Sequence, residues 1–370
     1  MSTGKTPSFA SKRQRGFTLV ELMVGLLLGM LTVLVITQVL ALAEGKKRSV
    51  TMGSDAQVNG ALSLFTLQGD IQMAGYGATV STDALGCVVK KKFDASAAAS
   101  TFTLAPVIID DGASDGPDTI TILQGRTSGF SAPMILTEDH PQTTAYFMVA
   151  SAFGAVVNNM MIAVPKVQDV NNWCTLFSVT NDTSDVATTL STTRIPHVAS
   201  GKWNQSSIFP ATYASGSYVL NMGSMVFRSY SVDSSFNLSV NELSPTTGAS
   251  NAQELYPQIV NLQAMYGKDT NNDGVVDTYD TVTPTTNAGW MQVLAIRVAV
   301  VARSNQYEKE LITTADPKWD VGTTSTISAA TACGSSKCIA LKVSHVPDWQ
   351  HYRYKVYDTV IPLRNVLWNS

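Results

Sequence analysis

Residues 12–21 read Lys-Arg-Gln-Arg-Gly-Phe-Thr-Leu-Val-Glu, and a nearly unbroken apolar run follows as far as Ala43. Between Phe17 and Ala43 the only charge is Glu21, and Gln38 is the only other strongly polar side chain. As a helix with ~1.5 Å rise per residue, this run spans about 40 Å, more than the ~30 Å hydrocarbon core of a bilayer requires. It is too long for the apolar stretch of a signal peptide and lacks a small-x-small cleavage pattern at its far end. Upstream, residues 1–16 carry Lys5, Lys12, Arg13 and Arg15 and no acid. The composition therefore reads as a membrane anchor behind a basic leader. Lys46, Lys47 and Arg48 lie beyond the run, so charge asymmetry alone does not set its orientation. Glu21 is costly in such a helix unless it pairs or stays near the interface. A first-turn position beside the positive end of the helix dipole reduces that cost.

The basic leader, Gly16-Phe17-Thr18-Leu19-Val20-Glu21 and the apolar run together resemble the class III signal of type IV pilins and pseudopilins. The resemblance implies cleavage after Gly16 by a membrane-embedded prepilin peptidase and N-methylation of the new terminal Phe17. It also implies an assembly role for Glu21. Cleavage would place a positive α-amine at Phe17 in apolar surroundings, where an unpaired charge is expensive. Glu21 of an adjacent subunit would then supply the partner. The same helix would be anchor first and filament core afterwards.

Ala61, Leu64, Leu67, Ile71 and Ala74 extend a helical period past the anchor, with Ser63, Thr66 and Asp70 expected on the opposite side. Gly75-Tyr76-Gly77 stops it. The expected organisation is a leader over 1–16, a helix over 17–76 (17–43 in membrane or filament core) and a globular domain over 77–370. Short apolar or β-branched runs separated by Gly, Ser, Asn, Asp and Pro predict an antiparallel sheet domain there. Thr119–Leu123, Met160–Val164, Gln292–Arg303 and Arg353–Leu363 are examples. A surface insertion is expected near 181–215, which is rich in Ser, Thr and Asn. A second helix is expected over Ala252–Met265, where Leu255, Ile259, Leu262 and Met265 recur at four, three and three residues. The fold class is α+β and type IV pilin-like: a long N-terminal helix packed on an antiparallel β-sheet domain. Ile259-Val-Asn-Leu-Gln-Ala-Met-Tyr-Gly267, Val298-Ala-Val-Val-Ala-Arg303-Ser304 and Tyr352–Asn365 are similar to the PilW family of minor pilins. No motif marks the segment 80–250.

Asp269-Thr-Asn271-Asn-Asp273-Gly274-Val275-Val-Asp277-Thr-Tyr-Asp280 fits the twelve-residue calcium-loop template. Asp269, Asn271, Asp273, Asp277 and Asp280 would offer side-chain oxygens and Val275 its carbonyl, with Ca²⁺ as the expected ion. Asp280 stands where the template has Glu, and a plain Asx-rich turn is the alternative. Cys87, Cys174, Cys333 and Cys338 allow three disulfide pairings. Cys333 and Cys338 enclose only four residues, so a local bridge is easy, which favours Cys87–Cys174 as the second. Free buried thiols are the alternative.

The chain carries a net charge of −3 and only 14% charged residues, so a phosphate-binding field is missing and no nucleic-acid partner is expected. Gly112-Ala-Ser114-Asp-Gly116 matches the GxSxG spelling of a nucleophile elbow, but a Pro and a strand follow instead of a helix. No enzyme is expected. The resemblance implies a minor pilin that primes pilus assembly and sits at the tip. Its partners would be other minor pilins, the major pilin, the prepilin peptidase and the inner-membrane assembly machinery. Before assembly the globular domain would be periplasmic on a single-pass inner-membrane anchor. A type II secretion pseudopilin and a tip adhesin are the alternatives.

Overall fold

The computed structural model describes residues 16–127, 131–199 and 201–367. A helix runs from Leu19 to Met73, and the chain divides into one compact unit up to Met52 and another from Gly53 onward. In the first unit, the stretch Leu19–Glu44 is long and apolar enough to cross a membrane, and its side chains are exposed.

In the second unit the helix meets a β-rich body. Among the described residues, the strands build sheets of six, five, four and three strands and two short ribbons. The five-stranded sheet runs in the order Ser250–Pro257, Asn237–Leu243, Val226–Val232, Thr119–Gln124 and Val107–Asp110. The four-stranded sheet runs Thr278–Asp280, Ile259–Lys268, Val293–Arg303, Tyr354–Pro362. Pairing between these strands is antiparallel. The architecture is thus α+β, an apolar N-terminal helix followed by a mostly antiparallel domain.

Leu67 and Ile71 of the helix, and Ala74 just after it, are buried in one core with Ile120 and Tyr230 of the five-stranded sheet and Ile296 and Val298 of the four-stranded sheet. The helix therefore covers both sheets. Gly60 marks its closest approach: a Cβ there would lie 2.4 Å from the Tyr357 ring and 3.1 Å from the Ala302 methyl.

The polar residues expected on the solvent side of this helix face the sheets instead. Ser63 is buried and caps back onto the Asn59 carbonyl at 2.7 Å. Thr66 meets the Tyr256 hydroxyl at 2.8 Å. Asp70 accepts from Arg228 at 2.9 Å and from the Tyr230 hydroxyl at 2.6 Å, and Arg228 also donates to Glu242 at 2.8 Å. Exposed Val58, Leu62, Phe65 and Met73 take the outer side. A matched polar partner, on the helix itself for Ser63 and on the sheet for Thr66 and Asp70, lets these residues face inward. Asp70→Ala would leave a half-buried guanidinium and a buried phenol short of an acceptor. It is expected to cost roughly 2–3 kcal/mol, read by thermal unfolding of the detergent-solubilised chain.

Two further expectations are corrected. Ala252–Met265 is not helical: Ser250–Pro257 and Ile259–Lys268 are strands, joined at Gln258 with φ +63°. Ile259–Lys268 is buried on both faces, with Leu262, Ala264 and Tyr266 toward the helix and Val260 and Met265 toward a second core around Trp319 and Leu341. A strand apolar on both faces shows no alternation, so a spacing of three and four arose by chance of composition. The segment 181–215 is a surface insertion only in its first part. Ile195, His197, Trp203, Ile208, Phe209 and Tyr213 are all buried. Two of its strands, Arg194–Pro196 and Thr212–Tyr213, pair with Tyr146–Met148 and His140–Pro141.

Candidate functional site

Gly16, Phe17 and Thr18 precede the first helical turn, and Phe17 is 85% exposed. Thr18 and Glu21 form a capping box. The Thr18 hydroxyl accepts from the Glu21 amide at 3.3 Å, while Glu21 Oε2 accepts from the Thr18 amide and hydroxyl at 3.3 and 3.2 Å. Each end satisfies an N–H that the helix start leaves open. In this state Glu21 has local partners, which answers how a carboxylate is tolerated at the head of an apolar helix. The expected scissile bond, Gly16–Phe17, lies outside the helix. An amine created there would stand one residue ahead of the cap, beside the positive end of the helix dipole, so local fields oppose its charge. The basic residues Lys5, Lys12, Arg13 and Arg15 lie outside the described residues.

The acidic loop follows the strand Ile259–Lys268. Asp269 is buried and accepts from the amides of Asp273 and Gly274 at 3.2 and 2.7 Å. Gly274 adopts φ +84°, the left-handed turn that the template's sixth position demands. Asp277 accepts from the Thr270 amide and hydroxyl at 2.7 and 2.8 Å, and these bonds hold its carboxyl below the usual range. Asn271 reaches Asp273 and Asp277 at 3.1 and 3.3 Å. Val275 donates its amide to Asp273 at 2.8 Å. Asp280, the last of the expected ligands, has a cationic partner. It lies on the strand Thr278–Asp280 and pairs with Lys268 at 2.7 Å, and Lys268 also donates to the Val282 carbonyl at 2.8 Å. In the antiparallel hairpin Tyr266 lies opposite Asp280 and Lys268 opposite Thr278.

Cys87 is bonded to Cys174 and Cys333 to Cys338, with Cα separations of 6.1 and 5.7 Å. The first bridge is buried in the core of the six-stranded sheet, where Val89 pairs with Cys174. The second spans the hairpin of the strands Thr331–Cys333 and Ser336–Ala340. Ser114 lies in a hairpin turn with φ +57° between two antiparallel strands, not at a strand-to-helix elbow.

Sequence reasoning missed Asp118. It is buried where the five- and four-stranded sheets meet, accepting from the amides of Gly112 and Ala264 at 3.0 and 2.8 Å and from the Gln263 side chain at 3.2 Å. Burial pushes its carboxyl up to about 7, against the pull of those donors. Gly112 is a neighbour in the hairpin, but Ala264 and Gln263 lie 146 and 145 residues along the chain, so nothing local marks Asp118 as buried.

The chain thus carries an apolar helix capped through Thr18 and Glu21, followed in sequence by a large antiparallel domain. Residues 11–37 match the prokaryotic N-terminal methylation motif, and residues 229–365 match the family described as Type IV Pilus-assembly protein W. The two matches, over the start and the last third of the chain, support a type IV pilin-like protein of the PilW family. The apolar helix and the methylation motif fit a single-pass inner-membrane anchor. No curated protein and no solved structure matches the chain.

Proposed function

We propose that this chain is a minor pilin that primes type IV pilus assembly and stays at the pilus tip, processed by prepilin peptidase after Gly16. The observation that carries the reading is the pairing of a methylation motif over 11–37 with a PilW match over 229–365 in one chain. A structural pilin role, not catalysis, follows from the same family assignment. The size of the β-rich part favours a subunit used in few copies. Its partners in this reading are other minor pilins, the major pilin and the inner-membrane assembly machinery, reached after the domain has folded in the periplasm.

Deleting the gene tests the reading. Loss of surface pili, seen by electron microscopy of sheared fractions and restored by the intact chain, is the expected result. Normal piliation with loss of protein secretion would instead make the chain a type II pseudopilin. Normal piliation with loss of surface attachment alone would make it a tip adhesin.

We also propose that Ca²⁺ occupies the 269–277 loop, held by Asp269, Asn271, Asp273, Asp277 and the Val275 carbonyl, with Asp280 left on Lys268. The template spacing and the left-handed Gly274 support this reading. Calcium added to the detergent-solubilised chain is expected to raise its melting temperature, and Asp269→Ala with Asp273→Ala to abolish the rise. An unchanged melting curve for the parent chain would contradict it.

A further inference from the structure

The region 131–215 carries no motif and no family match, yet it encloses a polar pair in an apolar setting. His140 opens the short strand His140–Pro141, and His197 follows the strand Arg194–Pro196. Their Nε2 atoms lie 2.9 Å apart, and both residues are buried, at 2% and 3% exposure. Each ring is held by aromatic neighbours. His140 stacks on Phe147 with centroids 4.0 Å apart, and His197 stacks on Phe209 at 4.8 Å. Phe177 and Tyr213 close the cluster. His140 Nδ1 is buried without a hydrogen-bond partner.

An Nε2···Nε2 hydrogen bond needs one protonated and one bare nitrogen, so the pair is stable when both rings are neutral. A first added proton brings a charge into an aromatic core. A second sets two N–H groups against each other at the same 2.9 Å and removes the hydrogen bond. The side chains packed on the pair are Phe147 from the strand Tyr146–Met148, Phe177 from Cys174–Ser178, Phe209 from the turn after Ser206–Ile208, and Tyr213 from Thr212–Tyr213. Tyr213, the one that titrates, turns its hydroxyl to Thr175 at 2.8 Å. The charged residues on the adjoining strands face elsewhere: Asp139 accepts from the Ser215 amide at 2.7 Å, and Arg194 covers the Tyr146 ring. No carboxylate among these groups meets the imidazoles. A small cleft of about 50 Å³, lined by Gln142, Thr144, His197, Asn204 and Phe209, reaches the His197 side of the pair.

The pair also ties elements together. His140 belongs to a ribbon with Thr212–Tyr213, and His197 donates its amide to the Ala145 carbonyl at 2.7 Å beside the second ribbon. We propose that His140 and His197 form an acid-released latch: neutral, they hold the two ribbons over the six-stranded sheet, and protonated, they let the ribbons open and expose the Phe147, Phe177 and Phe209 surface.

Burial is the first cause that lowers both imidazoles, His140 to about 4, with the neighbouring ring adding to the effect on His197. A folded value below the unfolded one, near 6.5, means stability that is complete above the unfolded value and lost as the pH falls toward the folded one. The window is therefore about pH 6.5 down to about 4.

Hydrogen exchange by mass spectrometry on the full chain in detergent tests the latch, with rates corrected for the chemical effect of pH. Between about pH 7.5 and about pH 5, opening of peptides from 134–149 and 194–213 is expected to rise by at least about tenfold, while peptides from 259–268 and 293–303 stay protected. The paired substitution His140→Gln with His197→Gln keeps a neutral hydrogen bond and should flatten the response. If that variant does not fold, His197→Phe alone takes its place, and direct titration of the histidine rings in the parent chain gives the same answer. Unchanged protection of 134–149 and 194–213 at about pH 5, a variant that opens like the parent, or rings that titrate near their ordinary value would each overturn the proposal.

Discussion

Replacing Cys87 and Cys174 together by Ser is expected to lower the stability of the folded domain by about 4–5 kcal/mol. The bridge joins residues 87 positions apart, so it removes a large set of open conformations from the unfolded chain. Both sulfurs also sit in a dry core, at 3% and 0% exposure, beside Val89, Leu176 and Leu220. Serine hydroxyls there would add the cost of burying polar groups without designed partners. The matched control is the pair Cys333→Ser and Cys338→Ser, which opens a loop of only five positions on a partly exposed hairpin and should cost about 2 kcal/mol. Denaturant unfolding of the two variants under non-reducing conditions checks the difference. Equal losses would mean that the long-range bridge does not constrain the unfolded chain as its position implies.

The second large effect falls on assembly and rests on the proposed processing. Glu21→Ala is expected to remove the chain from sheared pili, with a loss of more than about a hundredfold, because an ammonium buried without a counter-charge costs several kcal/mol. Alanine changes two things at once, since Glu21 also caps the helix through Thr18. Glu21→Gln separates them. A glutamine can keep the capping box, so helix content and membrane insertion should match the parent. It carries no charge, so filament incorporation should fail as it does for alanine. Normal incorporation of Glu21→Gln would show that the cap alone, and not the charge, is what the position supplies.

The N-terminal helix was legible because its signal is local. A run of apolar residues needs no knowledge of what it will touch. The strands Thr119–Gln124 and Met160–Val164 were legible for the same reason, bounded by turn residues. The groups that fix the helix to the sheets were not. Asp70 finds Arg228 and Tyr230 across 158 and 160 residues of chain, and a polar side chain spaced like a surface residue looks like one until its partner is known. Ile259–Lys268 was misread because a strand buried on both faces loses the alternation that identifies strands. The 194–213 stretch hid its aromatic core behind Ser, Thr and Asn. At the acidic loop, spacing placed Asp269 and Gly274 in their turn, but it could not foresee that Asp280 would pair with Lys268. The histidine pair lies 57 residues apart in sequence, and neither residue sits in a recognisable pattern.

The central claim is that the working form of this chain begins at Phe17, with its new amine answered by Glu21. Mass spectrometry of the chain recovered from sheared filaments measures this directly. The account predicts an N-terminal peptide that starts at a methylated Phe17 and no peptide from residues 1–16. Recovery of the chain with Met1 and the basic leader still attached, incorporated in filaments, would contradict it.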